Sequence, residues 1–324
     1  MLMSVLLFAV GLVLLIKGGD WFVDGAVGIA KRFNLPDIVV GATVVSIGTT
    51  LPEVMVSTTG ALAGSGAMAY GNAIGSIICN TALIAAISIV CNPGPVNVKS
   101  MKTPAIFFFC SAALYCLAAY GLGTFPRWMG FVMLAIFVAY TLLTVRNGMK
   151  NPDAVEEEEE EGGKPKKLWQ ELLLLVIGAA VIAVGADLLV DHGQIIAIEL
   201  GVPETVVALL FVALGTSLPE LVTTITSLKK GRASLGVGNV IGANVFNLVL
   251  VSGVAVSLAP FDVPVENTLL DTGLNLSLVF DIPVMLGVMS LMIFPALLGK
   301  KLSRWQGIAL LCIYAGFCVC QFML

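Results

Sequence analysis

Ser46-Ile47-Gly48-Thr49-Thr50-Leu51-Pro52-Glu53 recurs 167 positions later as Ala213-Leu214-Gly215-Thr216-Ser217-Leu218-Pro219-Glu220. The same offset aligns residues 20–80 with 187–247 without a gap, giving 21 identities in 61 positions. Asp20, Val23 and Asp24 meet Asp187, Val190 and Asp191, and Pro36 meets Pro203. Gly71, Asn72, Ile74, Gly75 and Asn80 meet Gly238, Asn239, Ile241, Gly242 and Asn247. Unrelated apolar helices share Val and Leu by composition, but not Gly, Thr, Pro, Glu and Asn in register. The chain is therefore two copies of one unit.

Each copy is apolar. Of 324 residues 58% are hydrophobic and 12% charged, against roughly 25% charged in a soluble globular protein. So little charge cannot cover a water-facing surface, which excludes a cytosolic enzyme of this length. Hydropathy and loop signals predict an all-α membrane protein with ten transmembrane helices, over residues 2–30, 36–64, 69–91, 104–122, 127–146, 169–192, 203–228, 233–258, 282–299 and 304–323. The first five form one repeat (1–146) and the last five a second (169–324), joined by an aqueous linker, 147–168. That linker carries Pro152, Pro165, Gly162, Gly163 and the acidic run Glu156 to Glu161. It reads either as a solvated connection or as a cation attractor at the membrane surface.

With the N-terminus outside, 15 of the 17 Lys and Arg residues fall in loops on the cytoplasmic side, leaving only Lys17 and Arg127 elsewhere. The positive-inside rule therefore predicts a cell (inner) membrane protein with both termini outside and the acidic linker in the cytoplasm. Residues Met1 to Ile16 carry no basic residue, so they read as a retained first helix rather than a signal peptide. The seven cysteines form no CxxC pair, and His192 is the single histidine. Zinc sites, a disulfide framework and nucleophile–histidine catalysis find no support. Five helices per repeat is an odd number, so the second copy enters the membrane from the opposite side. Inverted repeats are a transporter architecture, with the site at the midplane where broken helices meet. Here those are the second and seventh helices.

Glu53 and Glu220 lie about 15–25 Å along the helix from either end of their spans, where a carboxylate costs at least ~2.5–3.5 kcal/mol on insertion scales. Two carboxylates at matching depth, with no basic residue nearby in sequence, call for a cation. Pro52 and Pro219 lack an N–H and crowd the preceding turn, releasing the carbonyls of Gly48 and Gly215. Those carbonyls, the hydroxyls of Thr49, Thr50, Thr216 and Ser217, and the two carboxylates make an all-oxygen cage that suits calcium or another hard cation. One such segment alone is more often a proline bend whose threonines bond back to their own helix. The symmetric pair favours the cage. Asn80 and Asn247 offer amide oxygens to the same cation or, alternatively, hydrogen bonds between helices; Ser76 lies one turn before Asn80.

The paired segments resemble the two alpha-repeats of the sodium/calcium exchanger family, of the compact prokaryotic kind, within the cation/calcium antiporter superfamily. The resemblance implies ten helices, the second, third, seventh and eighth enclosing four cation sites. It implies side-chain ligands at Thr49, Thr50, Glu53, Ser76, Asn80, Thr216, Ser217, Glu220 and Asn247, with backbone carbonyls at Ser46 and Ala213. The first and sixth helices would slide over that core. Two positions depart from the family pattern. Ala243 stands where a serine is usual, and Asn247 where several relatives carry aspartate, leaving two formal charges and disfavouring a potassium site. Two carboxylates balance one Ca²⁺, and three Na⁺ leave a surplus of one charge, so electrogenic three-for-one exchange is expected. Proton/calcium antiport on the same glutamates is the alternative. The expected partners are calcium, sodium and membrane lipid, with no cofactor, no nucleic acid and a monomer as the functional unit.

The other membrane acids are open to two readings. Asp20/Asp24 and Asp187/Asp191 sit four apart on one helix face, either paired between helices or lining an ion entry path. Asp281–Pro283 and Lys102–Pro104 read as helix starts.

Overall fold

The computed structural model describes residues 2–150, 167–200, 215–264 and 275–323. These form eleven helical elements. They are α1 (Leu2–Phe33), α2 (Asp37–Thr49) and α3 (Leu51–Leu62), bent by 45° at Thr50, then α4 (Gly66–Cys91), α5 (Val98–Leu122) and α6 (Arg127–Met149). After the acidic linker, which lies outside the described residues, come α7 (Leu168–Glu199), α8 (Leu218–Lys229), α9 (Ala233–Leu258), α10 (Ser277–Gly299) and α11 (Arg304–Met323). Among the described residues seven helices are long and apolar enough to cross a membrane, or eight when the bent α2–α3 pair is taken as one span. The segment expected to open the seventh span, 203–214, is outside the described residues, as is Ala213 with it.

Element boundaries recur at the sequence offset. α3 and α8 start at Leu51 and Leu218, with Thr50 and Ser217 at their amino caps. The α-helical part of α4 runs Gly66–Cys79 and that of α9 Ala233–Phe246. Each then widens into π-helix at an asparagine, Asn80–Ala85 and Asn247–Val251. Two short antiparallel bridges tie the copies together: β1 (Gly94–Pro95) pairs with β4 (Lys301–Leu302), and β2 (Thr124–Phe125) with β3 (Phe261–Asp262).

α9 forms the centre, with every residue from Leu235 to Leu248 buried. α1 and α7 run antiparallel along one side, backbone against backbone. A Cβ on Gly11 would stand 2.9 Å from the Gly185 carbonyl, one on Gly18 2.9 Å from the Ile182 nitrogen, and one on Gly25 2.7 Å from the Glu171 carbonyl. Their outer faces expose Leu2, Leu6 and Val13, and Leu172, Leu173 and Val176. That is the lipid-facing surface the composition requires.

Two expected helix starts are corrected. α5 begins at Val98, not at Pro104, because the Asn97 side chain accepts the Ser100 N–H and caps the helix six residues earlier; Pro104 lies inside it. Pro283 does occupy the first turn of an α-helical stretch, but helical backbone already runs through the π-helical Ser277–Asp281 before it. The Asp281 carboxylate accepts the Gln321 amide at 2.8 Å.

Candidate cation-binding site

α2 is not uniform. It opens as α-helix, widens to π-helix over Gly41–Val45 and returns to α-helix at Ser46–Thr49. The wider turn leaves carbonyls that side chains cover: Ser46 Oγ donates to the Gly41 carbonyl at 2.8 Å and the Tyr140 hydroxyl to the Ala42 carbonyl at 2.8 Å. Glycine permits α2 to meet α9 at backbone contact. A Cβ on Gly41 would collide with the Leu235 carbonyl at 2.2 Å, and one on Gly238 with the Ile38 carbonyl at 2.3 Å.

At Thr50 the helix breaks and α3 starts with Pro52 in its first turn. The missing proline N–H costs nothing there, because the first turn has no intrahelical acceptor for it. Glu53 therefore sits at the amino end of α3, where the helix dipole favours negative charge. Pro219 and Glu220 occupy the same positions in α8. Both carboxylates are fully buried, and all four of their oxygens are without a hydrogen-bond partner among the described residues. They lie close enough to repel each other. A buried carboxylate that is neither paired nor hydrogen-bonded is among the costliest groups a protein can hold.

The other expected ligands lie in the same interior. Ser46, Thr49, Thr50, Ser76, Asn80, Ser217 and Asn247 are buried, and Thr216 is half-buried. Thr50 Oγ1, Ser217 Oγ and both polar atoms of Asn80 and Asn247 have no hydrogen-bond partner among the described residues. Thr49 neighbours the Glu220 carboxylate, which belongs to the other repeat. The Ser46 carbonyl accepts the Thr50 N–H at 3.0 Å, leaving one lone pair of the oxygen. Cys79, one residue before Asn80, adds a thiol beside Ser217. Its sulfur accepts the Tyr314 hydroxyl at 3.8 Å, and a soft ligand of this kind suits hard cations poorly. The expected ligands buried in this interior offer hydroxyl, amide and carboxylate oxygens, the hard donors that calcium takes.

Residues outside the expected set also reach the site. Asn239 Oδ1 accepts the Thr49 hydroxyl at 3.1 Å, and Asn72 Oδ1 accepts that of Thr216 at 3.3 Å. Both asparagines are among the repeat identities, and that was the available signal; their sequence gives no hint that each serves the opposite copy. Asp20 and Asp24 are settled by contact: Lys230 Nζ stands 2.7 Å from Asp24 Oδ1 and 3.7 Å from Asp20 Oδ1. Above the bends, Phe22 of α1 closes over Gly48 and Val190 of α7 over Gly215.

The family model described as "sodium/calcium exchanger protein" matches residues 3–146 and 171–323. The chain belongs to the sodium/calcium exchanger family. It is 34% identical over 307 residues to an uncharacterised membrane protein of Methanocaldococcus jannaschii, covering 95% of this chain and 94% of that one. It is 29% identical to the sodium/calcium exchanger MaX1 of Methanosarcina acetivorans, covering 98% of each. A solved structure of the sodium-calcium exchanger NCX_Mj superposes with a TM-score of 0.79 at 32% identity over 97% of each chain. The family member described here is thus a multi-pass membrane protein of the cation/calcium antiporter type.

Proposed function

We propose that this chain exchanges sodium for calcium across the cell membrane by alternating access, with both ions bound in turn on the oxygens around Glu53 and Glu220. In this proposal ten helices span the bilayer as two five-helix repeats of opposite orientation, α2–α3 and the span ending in α8 being the broken pair. Both termini lie outside, the acidic linker in the cytoplasm, and a monomer is sufficient. The single observation that carries the reading is the pair of fully buried carboxylates, one from each copy, with no hydrogen-bond partner among the described residues. The ligand set is Glu53, Glu220, Thr49, Thr50, Thr216, Ser217, Ser76, Asn80 and Asn247, with the carbonyls of Ser46 and Ala213.

Shared ligands make the transport obligatory exchange, because the site closes over calcium or over sodium and not over both. Two ionised glutamates neutralise one Ca²⁺, so three Na⁺ on the same groups carry one net charge across. Reconstituted into proteoliposomes, the chain should take up ⁴⁵Ca²⁺ when sodium is loaded inside. A membrane potential should shift the equilibrium with a slope of one charge per cycle. Glu53→Gln and Glu220→Gln should each abolish the uptake. Uptake driven by a pH gradient and indifferent to sodium would replace this reading with proton/calcium antiport. Uptake undiminished in both variants would remove the glutamates from the site.

A further inference from the structure

A hydroxyl that ligates a cation must send its proton elsewhere, since it has one hydrogen and two lone pairs. Most threonine hydroxyls in helices donate to the carbonyl four residues back. Thr43, Thr59, Thr81 and Thr141 do so here, to Val39, Met55, Ile77 and Phe137 at 2.7–3.0 Å. Thr49 and Thr216 do not. Each donates to the side-chain oxygen of an asparagine in the other repeat, Asn239 on α9 and Asn72 on α4.

We infer that Asn72 and Asn239 are positioning residues for the cation site. Each takes the proton of a ligand threonine from the opposite copy, which turns the threonine's lone pairs toward the cation. The inference rests on the reading of Thr49 and Thr216 as ligands. It extends that reading by giving the two repeats a mutual dependence: neither half-site presents its threonine correctly unless the other half supplies the acceptor.

The two asparagines are not used alike. Asn72 works at both ends. Its Nδ2 donates to the Glu53 carbonyl at 3.1 Å and to Ser57 Oγ at 2.8 Å, while Oδ1 receives Thr216. It therefore also steadies the first turn of α3, the turn that carries Glu53. Asn239 works through oxygen alone. Its Oδ1 receives Thr49 at 3.1 Å, the one Ser46 hydroxyl proton has the Asn239 backbone carbonyl at 2.9 Å and Oδ1 at 3.2 Å as alternatives to the Gly41 carbonyl, and Nδ2 has no partner among the described residues. Replacing the amide nitrogen by oxygen thus removes two hydrogen bonds at position 72 and none at position 239.

The test is calcium binding to the purified full-length chain, measured by titration calorimetry in detergent, with melting temperature recorded for every variant. Thr49→Val should weaken Ca²⁺ binding about tenfold, the scale of one lost hydrogen-bonded ligand. Asn239→Leu should weaken it by a similar factor, and the double variant no further than either alone, because both changes remove one interaction. Asn239→Asp keeps the acceptor and should bind within about threefold of the parent or more tightly, whereas Asn72→Asp should lose about tenfold. If Thr49→Val and Thr216→Val leave binding unchanged, the ligand reading fails and the inference with it. If they weaken binding while Asn239→Leu does not, or adds independently to Thr49→Val, the positioning role alone is refuted. Should Asn239→Leu not fold, the two aspartate variants decide: equal losses at 72 and 239 overturn the inference.

Discussion

The turn between α3 and α4 and the turn between α8 and α9 are the same piece of backbone with different chemistry. The first reads Ala63-Gly64-Ser65 and the second Lys230-Gly231-Arg232, one sequence offset apart. Both glycines are left-handed, with φ of +83° and +71°, and both turns lead into a helix of the same length. In the first, Ser65 caps α4 by accepting the Met68 N–H at 3.4 Å. In the second, that cap is absent; Arg232 pairs with Asp37 of α2 at 3.2 Å and Lys230 with Asp24 of α1. The acids of the repeat were kept on both helices, but the bases occur in one copy. Asp187 and Asp191 of α7, the counterparts of Asp20 and Asp24, have no ion pair among the described residues. Backbone geometry is therefore what the two copies share, and charge is where they diverge.

The largest consequence should follow from Arg232. Both members of its pair with Asp37 are about 7% exposed at the side chain, so removing one takes a charge partner from the other in a largely desolvated place. Arg232→Ala should cost about 3–5 kcal/mol, read as a large drop in melting temperature in detergent. A loss no greater than that of a surface arginine would show that the second turn is no better anchored than the first. The shared backbone gives a sharper prediction. At Gly64 a Cβ would meet nothing within 4 Å, so only the left-handed conformation opposes Gly64→Ala. That conformation costs about 1–2 kcal/mol for an L-residue, and Gly231→Ala should cost the same amount. Unequal losses, measured as melting temperatures of the two variants, would separate the turns in backbone as well as in charge.

How much of this was legible follows from the range over which each feature acts. The bend at Thr50 and the burial of Glu53 and Glu220 were readable because proline and glutamate act locally and appear twice. The long apolar spans were readable for the same reason, since hydropathy is summed along one segment. The π-helical turns at Asn80 and Asn247 were not, because one extra residue in a turn leaves no mark on an all-apolar pattern. The start of α5 is hidden, because Pro104 reads as a boundary while Asn97, whose side chain caps the helix, reads like any loop asparagine. The bonds from Thr49 to Asn239 and from Thr216 to Asn72 span 190 and 144 residues. Sequence identity marked those asparagines as repeated. The packing of α2 on α9, at the bare backbone of Gly41 and Gly238, shows that Asn239 serves Thr49, and the contact of Thr216 with α4 shows that Asn72 serves Thr216.

The smallest effect separates decoration from structure. Lys230 bonds Asp24 Oδ1 at 2.7 Å and the Asp20 carbonyl at 3.0 Å, but the Lys230 and Asp24 side chains remain 28% and 47% exposed. Exposed pairs of this kind contribute about 0.2–1 kcal/mol and weaken with salt. Lys230→Ala should therefore lower stability by about that amount at low ionic strength, with the difference from the parent shrinking as sodium chloride is raised. Ala63→Lys supplies the matching test in the other copy, since it places a base at the repeat-equivalent position, and Asp187 and Asp191 are the acids equivalent to Asp20 and Asp24. α1 packs along α8, whereas among the described residues α7 makes no comparable packing on α3, so Ala63→Lys should leave stability unchanged at every salt concentration. A salt-sensitive gain as large as the Lys230 loss would mean that α7 approaches the first turn as α1 approaches the second, and the likeness of the two copies would extend to how their first helices pack.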